Sequence, residues 1–412
     1  MKYNMNLEGK MEKLAINGGK RVIEKQITDL WKDIKNEDIE KVSEYLKKEP
    51  ISVIDGGILK QFEEEFAKFV NAKYAVAYCN GTAALHAASY ACGANENTNF
   101  ILSEYSYHGT VNSLLENSSK AYLCNYDTET LCIDVDAAER LIDNKTRGMI
   151  VTHCWGNPVD MDKISNIRKM YNIKIISDAS HAHGAKWDGR SIGSLDCEDI
   201  ACFSLGKNKL ISAGELGVAV TNSKELYDEL LFMGHPNRVP AALVTNKYES
   251  YTNGIGNKYR PHPLSMVLAV EQIKRFENKK EKNIRTNEYL SERIARIPGF
   301  KVITSYEKSE RMYWKLLIKI EKKYWTGISL ENIAKALKEE GVTLEQFHNY
   351  NIREHEHIWK HSRYDGQVIN KSVKDTPDDI LILPGYVEIG KENMDLIIKS
   401  FEKISNYKEE LK

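Results

Sequence analysis

The stretch that most constrains the fold is Ile173 to Ala185, IKIISDASHAHGA. Ile173, Ile175 and Ile176 form a short apolar run of the kind buried in a parallel sheet, which must be covered by helices on both faces. An α/β fold is the expectation. Asp178 falls where that strand should end, and open α/β sheets bind their ligands outside the carboxyl ends of the strands. Taken alone, the aspartate reads equally as a helix cap or turn residue.

A second stretch, Cys202 to Gly217, reads CFSLGKNKLISAGELG. It places Lys209 in an apolar, small-residue loop beside Leu205, Leu210 and Ile211. Partial burial there lowers an ammonium pKa by desolvation, which suits Schiff-base chemistry. A solvated loop lysine is the alternative reading. A strand-end carboxylate such as Asp178 can keep the pyridine nitrogen of pyridoxal phosphate protonated, so that the ring accepts electrons from a carbanion.

The ordered set Gly81-Thr82-Ala83, Tyr105-Ser106-Tyr107-His108, Asp178-Ala179-Ser180-His181-Ala182-His183-Gly184-Ala185, and Ser204 before Lys209 with Gly214-Glu215 just beyond, resembles the DegT/DnrJ/StrS family. These are pyridoxal-phosphate sugar aminotransferases of the aspartate aminotransferase (type I) fold. The resemblance runs from the Ala15-Ile16-Asn17-Gly18-Gly19 opening to the C-terminus. It implies a large domain, residues 15–263, with a mostly parallel sheet sandwiched by helices. A connecting helix and small C-terminal α/β domain, 264–412, would follow.

Composition agrees. A chain of 412 residues is long enough for two unequal domains. A formal charge of -1 argues against a nucleic-acid partner, which would demand a basic excess. No apolar run approaches a membrane span, and the opening MKYNMNLEGKMEKL lacks a signal-peptide core, so cytoplasm is the expected location. The cysteines are odd in number without a CxxC pair, which fits reduced thiols. Neither GxGxxG nor GxxxxGK[ST] occurs, which removes nicotinamide and ATP readings.

Along the chain, Ala15 to Val22 reads as an extended arm and Asn36 to Lys48 as a charged helix. Leu59, Phe62, Phe66, Phe69 and Val70 form a core-facing helical stripe. The strand Tyr74 to Tyr78, the turn Cys79-Asn80-Gly81-Thr82 and the helix from Ala83 together offer free backbone N–H groups at a positive dipole end, which is a phosphate site. Thr82 could instead be a plain N-cap. A strand starts at Asn99, another covers Met149 to Thr152, and His153 to Pro158 is a loop at the site wall. His153 is expected to be a neutral packing histidine and His183 structural. No metal is expected, because His181 and His183 beside one carboxylate lack further ligands. A helical pattern runs from Pro263 past Phe276 into the lysine-rich Lys274 to Lys282, expected to be a solvated face. Beyond it, strands such as Trp314 to Ile320 alternate with helices such as Leu330 to Glu340 and Glu392 to Ile404.

By resemblance, Lys209 and Asp178 are the catalytic pair, with Lys209 holding the cofactor as a Schiff base. The resemblance gives Gly81, Thr82, Ala83 and Ser204 as cofactor-binding residues, Gly81 and Thr82 forming the phosphate cradle, with Tyr107 stacked on the ring and His181 at the ring or its phenolic oxygen. Many relatives read Gly-x-Asn-x-Arg where this chain has Gly256-Asn257-Lys258-Tyr259-Arg260. Lys258 then stands where an asparagine reaches the phosphate of the neighbouring subunit, implying a homodimer with shared sites. His348, Tyr350, Arg353 and His355-Glu356-His357 fall in a region that varies with substrate. The implied reaction moves an amino group from L-glutamate or L-glutamine to a keto-sugar or keto-cyclitol, with pyridoxamine 5'-phosphate formed during turnover. A sugar dehydratase or a catalytically silent member is the alternative. The dehydratase branch replaces the lysine by histidine, so Lys209 speaks against it.

Overall fold

A computed structural model describes residues 13–239, 242–248, 250–251, 253–345, 352–355, 360, 364, 366–371 and 377–412. The main sheet contains β1 (Tyr74–Tyr78), β2 (Asn99–Ser103), β3 (Lys120–Cys124), β4 (Thr146–Thr152) and β5 (Lys174–Asp178). After two short strands, β6 (Lys186–Trp187) and β7 (Arg190–Ser191), it continues with β8 (Ile200–Ser204) and β9 (Gly217–Thr221). Its order is β1-β9-β8-β5-β4-β2-β3, with a last strand from residues 368–370 added beside β3. All neighbours from β8 outward to that edge pair in parallel, while β9 runs against both β1 and β8.

Helices α1 (Asn36–Lys48), α2 (Gly57–Val70), α3 (Gly81–Ala91) and α4 (His108–Leu115) precede a short α5 (Val135–Glu139), α6 (Met161–Tyr171) and α7 (Lys224–Phe232). The strands alternate their apolar side chains between two helical layers. Ala201 and Phe203 of β8 join a core with Phe62 and Phe66 of α2, whereas Ile200 and Cys202 join one with Ala84 and Leu114 of α3 and α4. Burial on both faces is what the isoleucine run of β5 required.

The pattern expected as one long helix from Pro263 is two, α8 (Pro263–Lys274) and α9 (Phe276–Ile294). Arg275 breaks them: its guanidinium is drawn to Asp38, at 2.6 Å, and to the Asp33 carbonyl. The lysine run is not wholly solvated either. Lys279 is buried and donates to the Leu210 carbonyl at 2.6 Å and to Asp33. A purely solvated face would have left the loop around Leu210 without this tether.

The remaining strands are β10 (Phe300–Val302), β11 (Ser309–Glu310), β12 (Lys315–Ile320), β13 (Val368–Asn370), which is the edge strand noted above, and β14 (Ile380–Pro384). β10, β12 and β14 form a small antiparallel sheet covered by α9, α10 (Leu330–Glu339) and the helix Lys391–Asn406. The core there also takes in Leu14, Ile23 and Ile27, so the N-terminal arm packs with the C-terminal third of the chain. The Leu14 N–H donates to Glu410, and the Ala15 and Val22 N–H groups donate to Glu340.

Candidate active site

Asp178 ends β5 opposite Thr152 of β4 and Cys202 of β8, and it is 4% exposed. Each carboxylate oxygen is held separately. Thr110 Oγ1 donates to Oδ2 at 2.7 Å; Ser180 Oγ donates to Oδ1 at 2.6 Å, with the Ser180 N–H at 3.2 Å. Behind Thr110, the Ser106 hydroxyl lies 3.0 Å from that of Thr152. Hydroxyl and amide donors stabilise a carboxylate over a carboxylic acid, and they fix where it points.

Lys209 lies in the turn between β8 and β9, and that turn is held from three sides. The Gln272 carboxamide of α8 bonds both the N–H and the carbonyl of Ser212, Lys279 of α9 takes the Leu210 carbonyl, and the Trp314 indole N–H donates to the Asn208 carbonyl at 2.7 Å. Burial pushes the Lys209 ammonium down to about 7; Asp178 opposes the shift and Lys315 adds to it. A substantial fraction of the amine is therefore neutral and nucleophilic near neutral pH.

His181 packs flat on Trp314, with ring centroids 3.8 Å apart and planes at 17°. Its Nδ1 accepts the Trp155 N–H at 3.3 Å, which makes Nε2 the protonated nitrogen of the neutral ring. Burial holds His181 well below its ordinary pKa, with the charge of Lys209 adding to the effect. Trp155 reaches this position through a left-handed backbone (φ 57) within the buried turn Cys154–Gly156. His153, on the same loop, is buried, accepts the Val159 N–H at Nδ1 and is pushed down to about 3. It is a packing residue. His183 is likewise buried against Phe203 and pushed down to about 3.

The turn between β1 and α3 closes on the end of β8. Asn80 caps α3 by accepting the Ala83 N–H at 2.9 Å, so the cap is Asn80 and not Thr82. The N–H groups of Gly81 and Thr82, in the first helical turn, have no intrahelical acceptor and face outward at the positive end of the helix. Ala83, expected among the cofactor-binding residues, has its N–H already committed to Asn80. Backbone approach here is tight. A Cβ on Gly81 would lie 2.6 Å from Ser204 Cβ, and one on Gly217 would lie 2.2 Å from the Asn80 carbonyl. The half-buried Ser204 and exposed Thr82 thus flank this close approach at the N-terminus of α3, the kind of helix end that binds anions.

The chain matches the model of the DegT/DnrJ/EryC1/StrS aminotransferase family over residues 32–402. It belongs to that family. A Micromonospora echinospora protein provisionally named L-glutamine:3-amino-2,3-dideoxy-scyllo-inosose aminotransferase is 26% identical over 338 residues, 81% of this chain and 79% of its own. The spore coat polysaccharide biosynthesis protein SpsC of Bacillus subtilis is 28% identical over 389 residues, 90% of this chain and 95% of its own. The solved structure of 3-amino-5-hydroxybenzoic acid synthase superposes with a TM-score of 0.79 at 20% identity, covering 94% of this chain and all of that one. The type I transferase architecture is therefore shared.

Within this DegT/DnrJ/EryC1/StrS member, Tyr107 caps the N-terminus of α4 with its ring 42% exposed, next to the Thr82 hydroxyl across Gly109. Asp178 and Ser204 end β5 and β8, Gly81, Thr82, Tyr107 and Lys209 follow β1, β2 and β8, and His181 lies just past Asp178, so all seven sit after the carboxyl ends of strands that run the same way. Lys258 is exposed. Its neighbour Tyr259 accepts the Cys79 N–H at 2.7 Å through its carbonyl, so the segment runs beside the cradle of its own chain. Of the substrate-variable group, Ile352–His355 docks on α4, with His355 6.1 Å from His108. His348, Tyr350, Glu356 and His357 lie outside the described residues, as does the Arg353 side chain. The sequence reading missed Thr110, Gln272, Lys279, Trp314 and Lys315. Only Thr110 carried a local signal, in the Ser-Tyr-His-Gly-Thr run that also contains Tyr107.

Proposed function

We propose that this family member is a pyridoxal-phosphate-dependent aminotransferase that carries an amino group from L-glutamate or L-glutamine to the ketone of a sugar or cyclitol. The observation that carries the reading is a half-buried lysine whose ammonium is pushed down to about 7 by burial and feels the charge of the strand-end Asp178, on a turn that follows β8 as α3 follows β1. The names of the relatives, a cyclitol aminotransferase and a coat-polysaccharide protein, support this acceptor class.

When bound, pyridoxal phosphate supplies an electron-withdrawing ring that accepts the electron pair of a Cα–H bond. The chain supplies the rest. The N–H groups of Gly81 and Thr82 and the Ser204 hydroxyl hold the phosphate. Asp178, oriented by Thr110 and Ser180, would hold a proton on the pyridine nitrogen. Lys209 is the covalent anchor; once released, its amine is the base that takes the donor Cα proton and returns it one atom away. His181 would present Nε2–H to the ring, and Tyr107 would offer it an aromatic face.

The same reading makes the enzyme a cytoplasmic homodimer, with Lys258 of a second copy serving the phosphate. No helix among the described residues is long and apolar enough to cross a membrane. Borohydride reduction followed by peptide mass spectrometry tests the anchor: the label belongs on Lys209, and Lys209→Ala should lose both the label and all turnover. Multiple-turnover transamination by that variant would overturn the assignment. A panel of donors and then keto acceptors, followed spectrally, identifies the substrates.

A further inference from the structure

Trp314 stands just before β12, a strand of the small sheet, yet its side chain belongs to the large core with Trp155 and Leu205 and reaches into the turn that carries Lys209. Contacts from Asn208, Lys209, His181 and Trp155 converge on one indole that is 7% exposed. Its N–H takes the carbonyl of Asn208, a residue in the left-handed region at φ 66, so the bond holds a turn that non-glycine residues seldom adopt unaided. Lys209 Nζ lies 4.0 Å from the centre of the ring. The ring itself stacks on His181 and, at 5.4 Å and 18°, on Trp155. We propose that Trp314 is the positioning residue for Lys209, setting the turn through its N–H and shielding the amine with its ring, so that the lysine is poised only while the indole is seated against the turn.

The proposal rests on the reading of Lys209 as the reactive amine. The charged and titratable groups that face that amine are Asp178 on β5, Lys315 on β12, and the neutral rings of His181 and His183. Lys315 is itself paired with Glu345 at 2.6 Å, and Lys279 of α9 directs its ammonium to Leu210 and Asp33. An aromatic face attracts an ammonium, which would raise its pKa. The amine is nevertheless pushed down, so exclusion of water outweighs that attraction. Opening the site to water by removing the ring should therefore raise the midpoint of the amine.

The test uses full-length chain freed of cofactor, with the pH dependence of trinitrobenzenesulfonate labelling at Lys209 read by peptide mass spectrometry. Trp314→Leu should move the midpoint up by about one unit and slow the donor half-reaction of the reloaded enzyme about tenfold, with little change in KM. Trp314→Phe keeps a ring but not the N–H, so it should hold the midpoint and slow the half-reaction severalfold. A Trp314→Leu protein that melts cooperatively yet keeps both midpoint and rate overturns the proposal, as does a midpoint that falls. Should Trp314→Leu not fold, an undiminished half-reaction in Trp314→Phe overturns it. Failure of the borohydride label to fall on Lys209 would instead defeat the functional reading, and it leaves the labelling midpoint measurable.

Discussion

Gly81→Ala is the most direct probe of the phosphate cradle, because the added atom has a defined place to clash. Gly81 is not among the residues in the left-handed region, so alanine meets no backbone penalty there. The new Cβ would lie 2.6 Å from Ser204 Cβ and 3.1 Å from Ser204 Cα. Carbon atoms prefer about 3.5 to 4.0 Å, so the N-terminus of α3 or the end of β8 must retreat by nearly an ångström. Overpacking of this kind costs about 1 to 3 kcal/mol. Retreat of either element also pulls the Gly81 and Thr82 N–H groups or the Ser204 hydroxyl off the phosphate. Equilibrium titration of pyridoxal phosphate in a Lys209→Ala background, where no covalent link forms, should show affinity weakened at least about tenfold. The same substitution made with Ser204→Gly should cost markedly less, since the clashing Cβ is gone and the pair is coupled. Equal losses in both backgrounds, or no loss in either, would refute the cradle as drawn.

Asp178→Asn removes a buried charge that holds the pyridine proton, worth on the order of 2 to 4 kcal/mol, so the donor half-reaction should slow about a hundredfold while cofactor is retained. Thr110→Val should show a smaller loss of the same kind, and wild-type rates in Asp178→Asn would mean that another group protonates the ring. Lys258→Ala should weaken cofactor retention by roughly 1.5 to 3 kcal/mol. Co-refolding it with Lys209→Ala at limiting cofactor should restore activity only if Lys258 acts across a dimer interface; no recovery in proven heterodimers would assign it to its own chain, beside Cys79. In the cofactor-free protein, the depressed Lys209 pKa costs stability below about 7 and progressively less as pH rises toward the ordinary lysine value. Lys209→Met should therefore raise the melting temperature more at pH 6 than at pH 9, and a gain that grows with pH would contradict the burial of the amine.

What could be read from the sequence was what neighbouring residues encode. The isoleucines of β5, the stripe on α2 and the strand-turn-helix at Asn80 announce themselves because their periods and caps lie within a dozen residues. Asp178 and Lys209 taken singly read also as a turn aspartate and a solvated lysine, and it was the ordered set of motifs around them, resembling a known family, that pointed to their chemistry. The misreadings came from partners distant in the chain. Nothing near Arg275 signals a helix break, since its cause is Asp38. Lys279 sits in a run of charges that suits solvent, and only the turn at Leu210 and the arm at Asp33 draw it inside. Trp314 looks like one more apolar residue at the start of a strand, and its role depends on a carbonyl more than a hundred positions earlier.

The union of the N-terminal arm with the C-terminal core sets an order of events during synthesis. Leu14, Ile23 and Ile27 leave the ribosome first, yet the side chains that cover them, from Leu290 to Leu411, are made last. At translation rates of about 5 to 20 residues per second, the arm waits roughly 20 to 80 seconds, long after the β1 to β9 sheet has been made. Until then it is an apolar segment without a home, and Lys209 likewise lacks the Trp314 indole until the chain after the β1 to β9 sheet has been made.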